Sequence, residues 1–126
     1  MCDVVVAGYL GVDLAPEFPA SGGETGASNV LKPGSLTEVR DLHISLGGVV
    51  ANTGLALKKF GRNAALMGLV GNDILGEIAV SILENEGLAS GIATTDRAGT
   101  AYGIVLSPPG VDRVFFESPG CNGACT

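Results

Sequence analysis

The stretch Gly47-Gly48-Val49-Val50-Ala51-Asn52, followed by Gly61 and Gly71, carries the strongest structural signal in this chain. Two adjacent glycines allow a close approach of backbone that a Cβ atom would block, and the first N–H groups of a helix have no partner inside the helix. A helix that begins after Gly48 therefore offers donors to an oxygen-rich ligand. Asn52 adds a side-chain donor and acceptor near the first turn, which suits vicinal hydroxyls.

Apolar runs lie on both sides of this turn and predict strands. Val4 to Leu10 and Ala64 to Val70 are continuous apolar runs, typical of strands buried in a parallel sheet. From Val49 and again from Ile74, apolar residues recur at spacings of three and four, which predicts helices. The alternation of strand and helix indicates an α/β fold, a Rossmann-like parallel sheet with flanking helices.

The two predicted helices have recognisable ends. The first begins near Val49 and ends at Gly61, which predicts a glycine cap. The second follows Asp73, a first-turn acid that complements the helix dipole, and ends at Gly87. The predicted apolar faces are Val49, Thr53, Ala56, Leu57 and Phe60 in the first helix, and Ile74, Leu75, Ile78, Ala79, Ile82 and Leu83 in the second.

Three further segments lie outside the strand–helix units. Asp13 to Gly34 contains three prolines and a Gly22-Gly23 pair, which predicts an excursion from the sheet. Leu42 to Leu46 alternates apolar and polar residues, the pattern of a half-exposed strand. Ala101 to Leu106 and Val111 to Phe116 flank a Ser-Pro-Pro-Gly turn and predict a β-hairpin. No linker separates these segments, so residues 1–126 are expected to form one domain with a projecting β element.

Composition excludes several classes of function. The chain has 126 residues, 46% hydrophobic and 5% aromatic with no Trp, so an aliphatic core is expected. The net charge of -6 and the lack of a basic stripe exclude nucleic-acid binding. No apolar run is long enough to span a membrane. The three cysteines are an odd count with no secretory segment before them, which favours reduced thiols and a cytoplasmic location. Cys121-x-x-x-Cys125 alone lacks the four ligands of structural zinc, so no metal site is predicted.

Each candidate site residue also has a plain structural reading. Asp13 lies just beyond the first predicted strand, where open parallel sheets bind ligands and a carboxylate can accept two sugar hydroxyls. Asp13 is equally compatible with a solvated loop acid, Asn52 with a residue bonded to backbone, and Gly47-Gly48 with a simple turn. His43 falls on the polar phase of its strand and is expected to be exposed, not a catalytic base. The dinucleotide and P-loop glycine patterns do not occur.

The spacing of glycines and asparagine resembles the first signature of the PfkB-type (ribokinase-like) carbohydrate kinases. Val50 and Gly54 depart from the strict form of that signature. Three other segments are similar to family motifs: Gly8 to Asp13 to the first strand with its sugar-binding Asp, Val70 to Gly76 to Val-Gly-x-Asp-x-x-Gly, and Ser118 to Asn122 to the Gly-Ala-Asn that follows the second lid strand. The resemblance spans the whole chain.

This resemblance implies which segments bind the substrate and which form a lid. It implies that Asp13, Gly47, Gly48 and Asn52 hold the hydroxyls of a sugar or nucleoside. It also implies a β lid built from residues of about 14–46 and 100–117, with Tyr102 and Ile104 on one wall of the pocket. In such kinases the lid strands often pair between subunits, so a homodimer is expected, and ATP and Mg²⁺ are the implied cofactors.

The catalytic segment of that family does not occur in residues 1–126. Phosphoryl transfer needs a base and donors for the developing charge, which the family draws from Asp-Thr-x-Gly-Ala-Gly-Asp. The sequence therefore predicts the N-terminal portion of an ATP-dependent sugar or nucleoside kinase, with no catalytic residue of its own and no activity alone. A stand-alone polyol-binding module and a dimerisation module without catalysis remain as alternatives. A sheet that ends partway also predicts an unpaired edge and an uncovered face.

Overall fold

The computed structural model describes residues 2–19, 31–110 and 112–124. Gly22 and Gly23 of the predicted excursion, Val111 of the hairpin and Cys125 of the cysteine pair lie outside these ranges. The described elements, in chain order, are β1 (Val4–Ala7), β2 (Gly11–Pro16), β3 (Leu42–Gly47), α1 (Gly48–Lys59), β4 (Ala64–Gly71), α2 (Ile74–Asn85), β5 (Ile92–Thr95), β6 (Ala101–Leu106), β7 (Val114–Ser118) and a 3₁₀ helix (Gly120–Ala124). Neither α-helix described here has the length and apolar character needed to cross a membrane.

The base of the molecule is a parallel sheet in the order β1-β4-β5. Both helices contribute to one aliphatic core with this sheet, whose members include Leu66 and Val70 of β4, Val50 and Ala51 of α1, and Ala79 and Leu83 of α2. The predicted α/β architecture is confirmed. The short strand β5 was not predicted, because it has only four residues and half of them are threonines.

The predicted helix ends are confirmed. Gly61 and Gly87 have φ angles of 71° and 72°, the left-handed region that favours glycine. After α1, the Gly61 N–H donates to the carbonyl of Lys58 and the Arg62 N–H donates to that of Leu57, the paired bonds of a Schellman motif. Asp73 is the N-cap of α2, one position before the helix, and accepts from the N–H of Gly76.

The predicted face of α1 is wrong except for Leu57, which packs against the core. Val49 and Phe60 are 49% and 82% exposed, whereas the buried residues of the helix are Val50, Ala51 and Gly54. Gly54 lies directly against Leu66, and a Cβ at this position would collide with that side chain. The helix therefore approaches the sheet through small residues. The prediction relied on large apolar side chains at helical spacing, and these lie mainly on the neighbouring face of the helix.

A second sheet, which we call the lid sheet, has the strand order β3-β2-β6-β7. The β6–β7 hairpin and the β3 strand are confirmed, and His43 is exposed as predicted. Strand pairing places Ser45, Asp13, Gly103 and Glu117 side by side across the four strands. The next row consists of Ile44, Leu14, Ile104 and Phe116. Because neighbouring residues along a strand point to opposite faces, the lid sheet has one polar face and one apolar face.

The run from Val4 to Leu10 was predicted as one buried strand, and this is wrong. The chain turns at Gly8, which has a φ of 143°, and passes from β1 in the base sheet to β2 in the lid sheet. The Leu10 backbone is bonded in both directions to the side chain of Asn122. Val5 is 57% exposed, because its side of β1 is not covered by the helices. As a consequence Asp13 lies within β2 and not beyond a strand end.

Candidate substrate-binding site

A pocket of about 290 Å³ lies where the lid sheet meets the beginning of α1. All four predicted site residues line it. The lining residues are the glycines Gly11, Gly47, Gly48 and Gly103, the polar residues Asp13, Asn52 and Glu117, and the aromatic residues Tyr9, Tyr102, Phe115 and Phe116. The four residues predicted from the sequence therefore lie close together in the fold.

The Gly47-Gly48 turn packs tightly against the chain that leaves β1. Gly48 has a φ of 90°, and a Cβ there would collide with the carbonyl oxygen of Tyr9. The same oxygen accepts a hydrogen bond of 3.2 Å from the Val50 N–H. Gly47 is the N-cap of α1 and carries no side chain that could cap the first turn. Glycine is therefore required at Gly48 by backbone geometry as well as by space.

Asp13 occupies a slot between two glycines on the neighbouring strands. A Cβ on Gly47 would lie 2.7 Å from Asp13 Oδ2, and a Cβ on Gly103 would lie 2.9 Å from Oδ1. Both distances are shorter than van der Waals contact allows. Side chains at either glycine would displace the carboxylate, so the pair defines where Asp13 can lie.

The carboxylate of Asp13 has no hydrogen-bond donor among the described residues. Burial raises the pKa of Asp13 above its ordinary value, and the negative charge of Glu117 adds to the effect. A partly buried carboxylate without donors is unfavourable, and hydroxyl groups of a ligand would supply those donors. The site is therefore suited to a polyol.

Glu117 is held in place by Tyr9. The Tyr9 hydroxyl donates a hydrogen bond of 2.7 Å to Glu117 Oε1. Burial, followed by this hydrogen bond and the charge of Glu117, raises the pKa of Tyr9 to about 12. The tyrosine keeps its proton at neutral pH and continues to donate.

Of the remaining residues discussed in the sequence, some line the pocket and others lie elsewhere in the fold. Asn52 is exposed at the pocket, and its side-chain amide has no partner within the described part of the chain. Tyr102 lines the pocket as predicted. Ile104, which was predicted beside it, is not among the lining residues. Val50 and Gly54, which depart from the family signature, face the core and not the ligand turn.

Tyr9, Gly103 and Glu117 are among the lining residues that the sequence prediction missed. Tyr9 and Glu117 gave no motif, since each is one residue in an apolar run. Gly103 did carry a signal, because a glycine inside a strand marks a place where a ligand or another group approaches closely. Only the pairing of β2, β6 and β7 brings the three together.

The charge of this pocket opposes a nucleoside triphosphate. Its lining holds two carboxylates and no Lys or Arg, whereas phosphate groups are commonly bound by cationic side chains. In the described ranges there is also no cluster of three metal-ligating side chains. The lining therefore offers acceptors for hydroxyl groups and no cationic side chain for a phosphate group.

The sequence model of the pfkB family of carbohydrate kinases matches residues 21–121. The chain belongs to this family. The chain is similar to the 5-dehydro-2-deoxygluconokinase of Clostridium perfringens, with 27% identity over 110 residues. That match covers 84% of this chain and 29% of the relative.

Solved structures of two ribokinases share the fold. The ribokinase of Thermotoga maritima superposes with a TM-score of 0.72 at 18% identity, covering 95% of this pfkB-family chain and 37% of its own. The ribokinase of Cryptococcus neoformans, solved in complex with ADP, gives a TM-score of 0.67 at 20% identity, covering 95% and 35%. The ribokinase-like fold is thereby confirmed, and the chain spans about a third of the length of these proteins.

Proposed function

We propose that this chain provides the substrate pocket and lid of an ATP-dependent kinase that phosphorylates a hydroxyl group of a sugar or nucleoside. The observation that carries the proposal is the carboxylate of Asp13, which lies without a donor in a glycine-lined slot beside the family's Gly-Gly turn. Membership of the pfkB family supports the reaction class.

In this proposal each predicted residue has a separate role. Asp13 accepts hydrogen bonds from two substrate hydroxyls, and Asn52 donates to one hydroxyl and accepts from another. Gly47 and Gly48 let the substrate approach the backbone at the start of α1. The aromatic residues Tyr102 and Phe115 cover the apolar side of the substrate ring. These contacts bind and orient the substrate but move no phosphoryl group.

Phosphoryl transfer requires groups outside this pocket. In this proposal the residues that bind ATP and Mg²⁺ lie elsewhere in the kinase, because the two carboxylates of the described lining repel a triphosphate. We therefore expect the isolated chain to bind substrate without turnover.

The lid sheet supports a further part of the proposal, a homodimer through the lid strands. Its apolar face exposes Leu42, Ile44 and Phe116, whose exposed fractions are 54%, 41% and 49%. A surface of this kind is typical of an interaction site. Two copies that pair these faces would cover all three side chains.

The proposal is tested by calorimetric titration of the 126-residue chain with ribose, fructose and adenosine, together with an assay for ADP release from ATP and Mg²⁺. We expect saturable binding of at least one compound, loss of that binding in Asn52→Ala, and no ADP release. The matched control is Asn63→Ala, which removes the same side chain at an exposed position outside the pocket. Binding that survives Asn52→Ala unchanged, or turnover by the isolated chain, would contradict the proposal.

A further inference from the structure

The polar face of the lid sheet places two carboxylates on opposite sides of a glycine. Asp13 pairs with Gly103, and Gly103 pairs with Glu117 on the next strand. Residues paired in this way point to the same face, and neighbouring strands lie about 4.8 Å apart. The backbones that carry Asp13 and Glu117 are therefore separated by about 10 Å. The Asp13 carboxylate extends over Gly103, where a Cβ would lie 2.9 Å from Oδ1. Both acids and Gly103 line the pocket.

The charges of the two acids are not balanced by a cation in the pocket. No Lys, Arg or His is among its described lining residues. Arg113, just before β7, holds its guanidinium over the ring of Phe115, 5.8 Å from the ring centre, and so lies beside the pocket but not among its lining residues. A ligand in the pocket meets the two negative groups of the lining. Hydroxyl groups can donate to both carboxylates, whereas an anionic group is repelled by both.

Glu117 is an exposed residue of the pocket lining whose carboxylate is held by a hydrogen bond. Its carboxylate accepts from Tyr9 at 2.7 Å, and the carbonyl oxygen of Tyr9 accepts from Val50 in the first turn of α1. One residue thus connects the lid acid to the Gly-Gly turn. The hydrogen bond leaves the second oxygen of Glu117 available to a ligand, since a carboxylate has two acceptor oxygens.

We propose that this pocket selects neutral polyols and rejects phosphorylated sugars and sugar acids, and that Glu117 is the residue which determines this specificity. The inference rests on the proposed function, because it assumes that the pocket binds the phosphoryl acceptor. It narrows the substrate class to uncharged sugars and nucleosides, which differs from the sugar acid in the name of the Clostridium perfringens relative.

The test compares matched neutral and anionic ligands on the 126-residue chain by calorimetry. The pairs are ribose with ribose 5-phosphate, fructose with fructose 6-phosphate, and glucose with gluconate. We expect the neutral member of a bound pair to bind roughly tenfold tighter or more. Glu117→Gln should reduce that ratio several-fold by improving the binding of the anion. Glu84→Gln removes the same charge from an exposed position on α2 outside the pocket and should leave the ratio unchanged.

A second measurement needs no variant. Raising the salt concentration should reduce the ratio for the unaltered chain, because exposed charges are screened. Equal affinity for both members of a pair, or a ratio that Glu117→Gln and salt do not change, would overturn the inference while leaving the proposed function intact. Failure of every neutral and anionic ligand to bind would overturn the proposed function and this inference with it.

Discussion

Asp13 illustrates how this site is built at the scale of single residues. Its carboxylate is positioned by the absence of side chains at Gly47 and Gly103 and not by hydrogen bonds within the described chain. Burial and the charge of Glu117 raise the pKa of Asp13, so its ionised form is disfavoured in the folded state. Disfavoured groups of this kind are common at functional sites, where stability is given up for binding.

Asp13→Asn is predicted to stabilise the fold at neutral pH. The folded pKa of Asp13 is raised by burial and by Glu117, so the folded state binds the proton more tightly than the unfolded state. The charge therefore reduces stability as pH rises through and above the ordinary value of 3.8. Asparagine carries no such charge. Urea unfolding should show a more stable variant at pH 7, with the difference shrinking toward pH 4. A variant that is less stable at pH 7 would contradict this reading of the slot.

Gly103→Ala is predicted to weaken polyol binding without unfolding the protein. The new Cβ would lie 2.9 Å from Asp13 Oδ1 and displace the carboxylate. A displacement of this size should reduce affinity on the order of tenfold in a titration with the bound sugar. The control is Gly68→Ala in β4, where the closest atom would be 3.4 Å away. Equal effects of the two substitutions would argue against a specific role for Gly103.

At the scale of elements, one buried cluster joins α2, β4 and the start of the lid hairpin. Asp73 Oδ1 accepts from the Gly76 N–H at 2.8 Å and from the Thr100 hydroxyl at 2.6 Å, and Oδ2 accepts from the Thr100 N–H at 2.9 Å. Thr100 Oγ1 in turn accepts from the Gly71 N–H at 2.9 Å. These bonds, led by the hydroxyl of Thr100, lower the pKa of Asp73. Thr100 is 3% exposed, so water cannot replace it.

Thr100→Val is predicted to destabilise the protein by about 1–3 kcal/mol, because it leaves the Gly71 N–H buried without an acceptor and removes a donor from Asp73. The free energy of unfolding in urea measures this directly. Thr53→Val on the exposed side of α1 is the matched control and should change stability by less than about 0.5 kcal/mol. A value for Thr100→Val as small as that of the control would show that the cluster does not stabilise the fold.

The elements also show what a single sequence can and cannot predict. Gly61 and Gly87 predicted both helix ends, because the residue that ends a helix in the left-handed conformation is usually a glycine. Gly47, Gly48 and Asn52 followed from the Gly-Gly turn, and Asp13 from its place after the first predicted strand and from the family resemblance. Tyr9, Gly103 and Glu117 did not, since their proximity depends on the register of three strands that are far apart in sequence. The division of the first apolar run at Gly8 depends likewise on Asn122, a distant residue.

At the scale of the whole molecule, the base sheet is covered on one face only within the described residues. Strand alternation places six apolar or small side chains on its other face, namely Val5, Ala7, Ala65, Met67, Leu69 and Ala93. Val5 and Met67 are 57% and 54% exposed. Parallel sheets are normally buried on both faces. This agrees with the expected uncovered face and predicts non-specific association of the chain.

Met67→Lys and Ile44→Lys should separate two kinds of association in sedimentation experiments. Met67→Lys places a charge on the bare face of the base sheet and should reduce concentration-dependent aggregation without changing a defined dimer. Ile44→Lys alters the apolar face of the lid sheet and should convert the proposed dimer to monomer. A dimer that is unaffected by Ile44→Lys but lost in Met67→Lys would assign the interface to the base sheet.

The central claim is that the pocket beside the Gly-Gly turn binds a polyol, and chemical-shift mapping tests it most directly. The ¹⁵N-labelled chain is titrated with ribose, fructose and adenosine while the backbone amide signals are followed. The account predicts saturable shifts concentrated at Gly47, Gly48, Asn52 and Gly103, and their loss in Asp13→Asn. Saturable shifts at another surface, or a folded chain whose pocket amides do not respond to any of the three compounds, would contradict it.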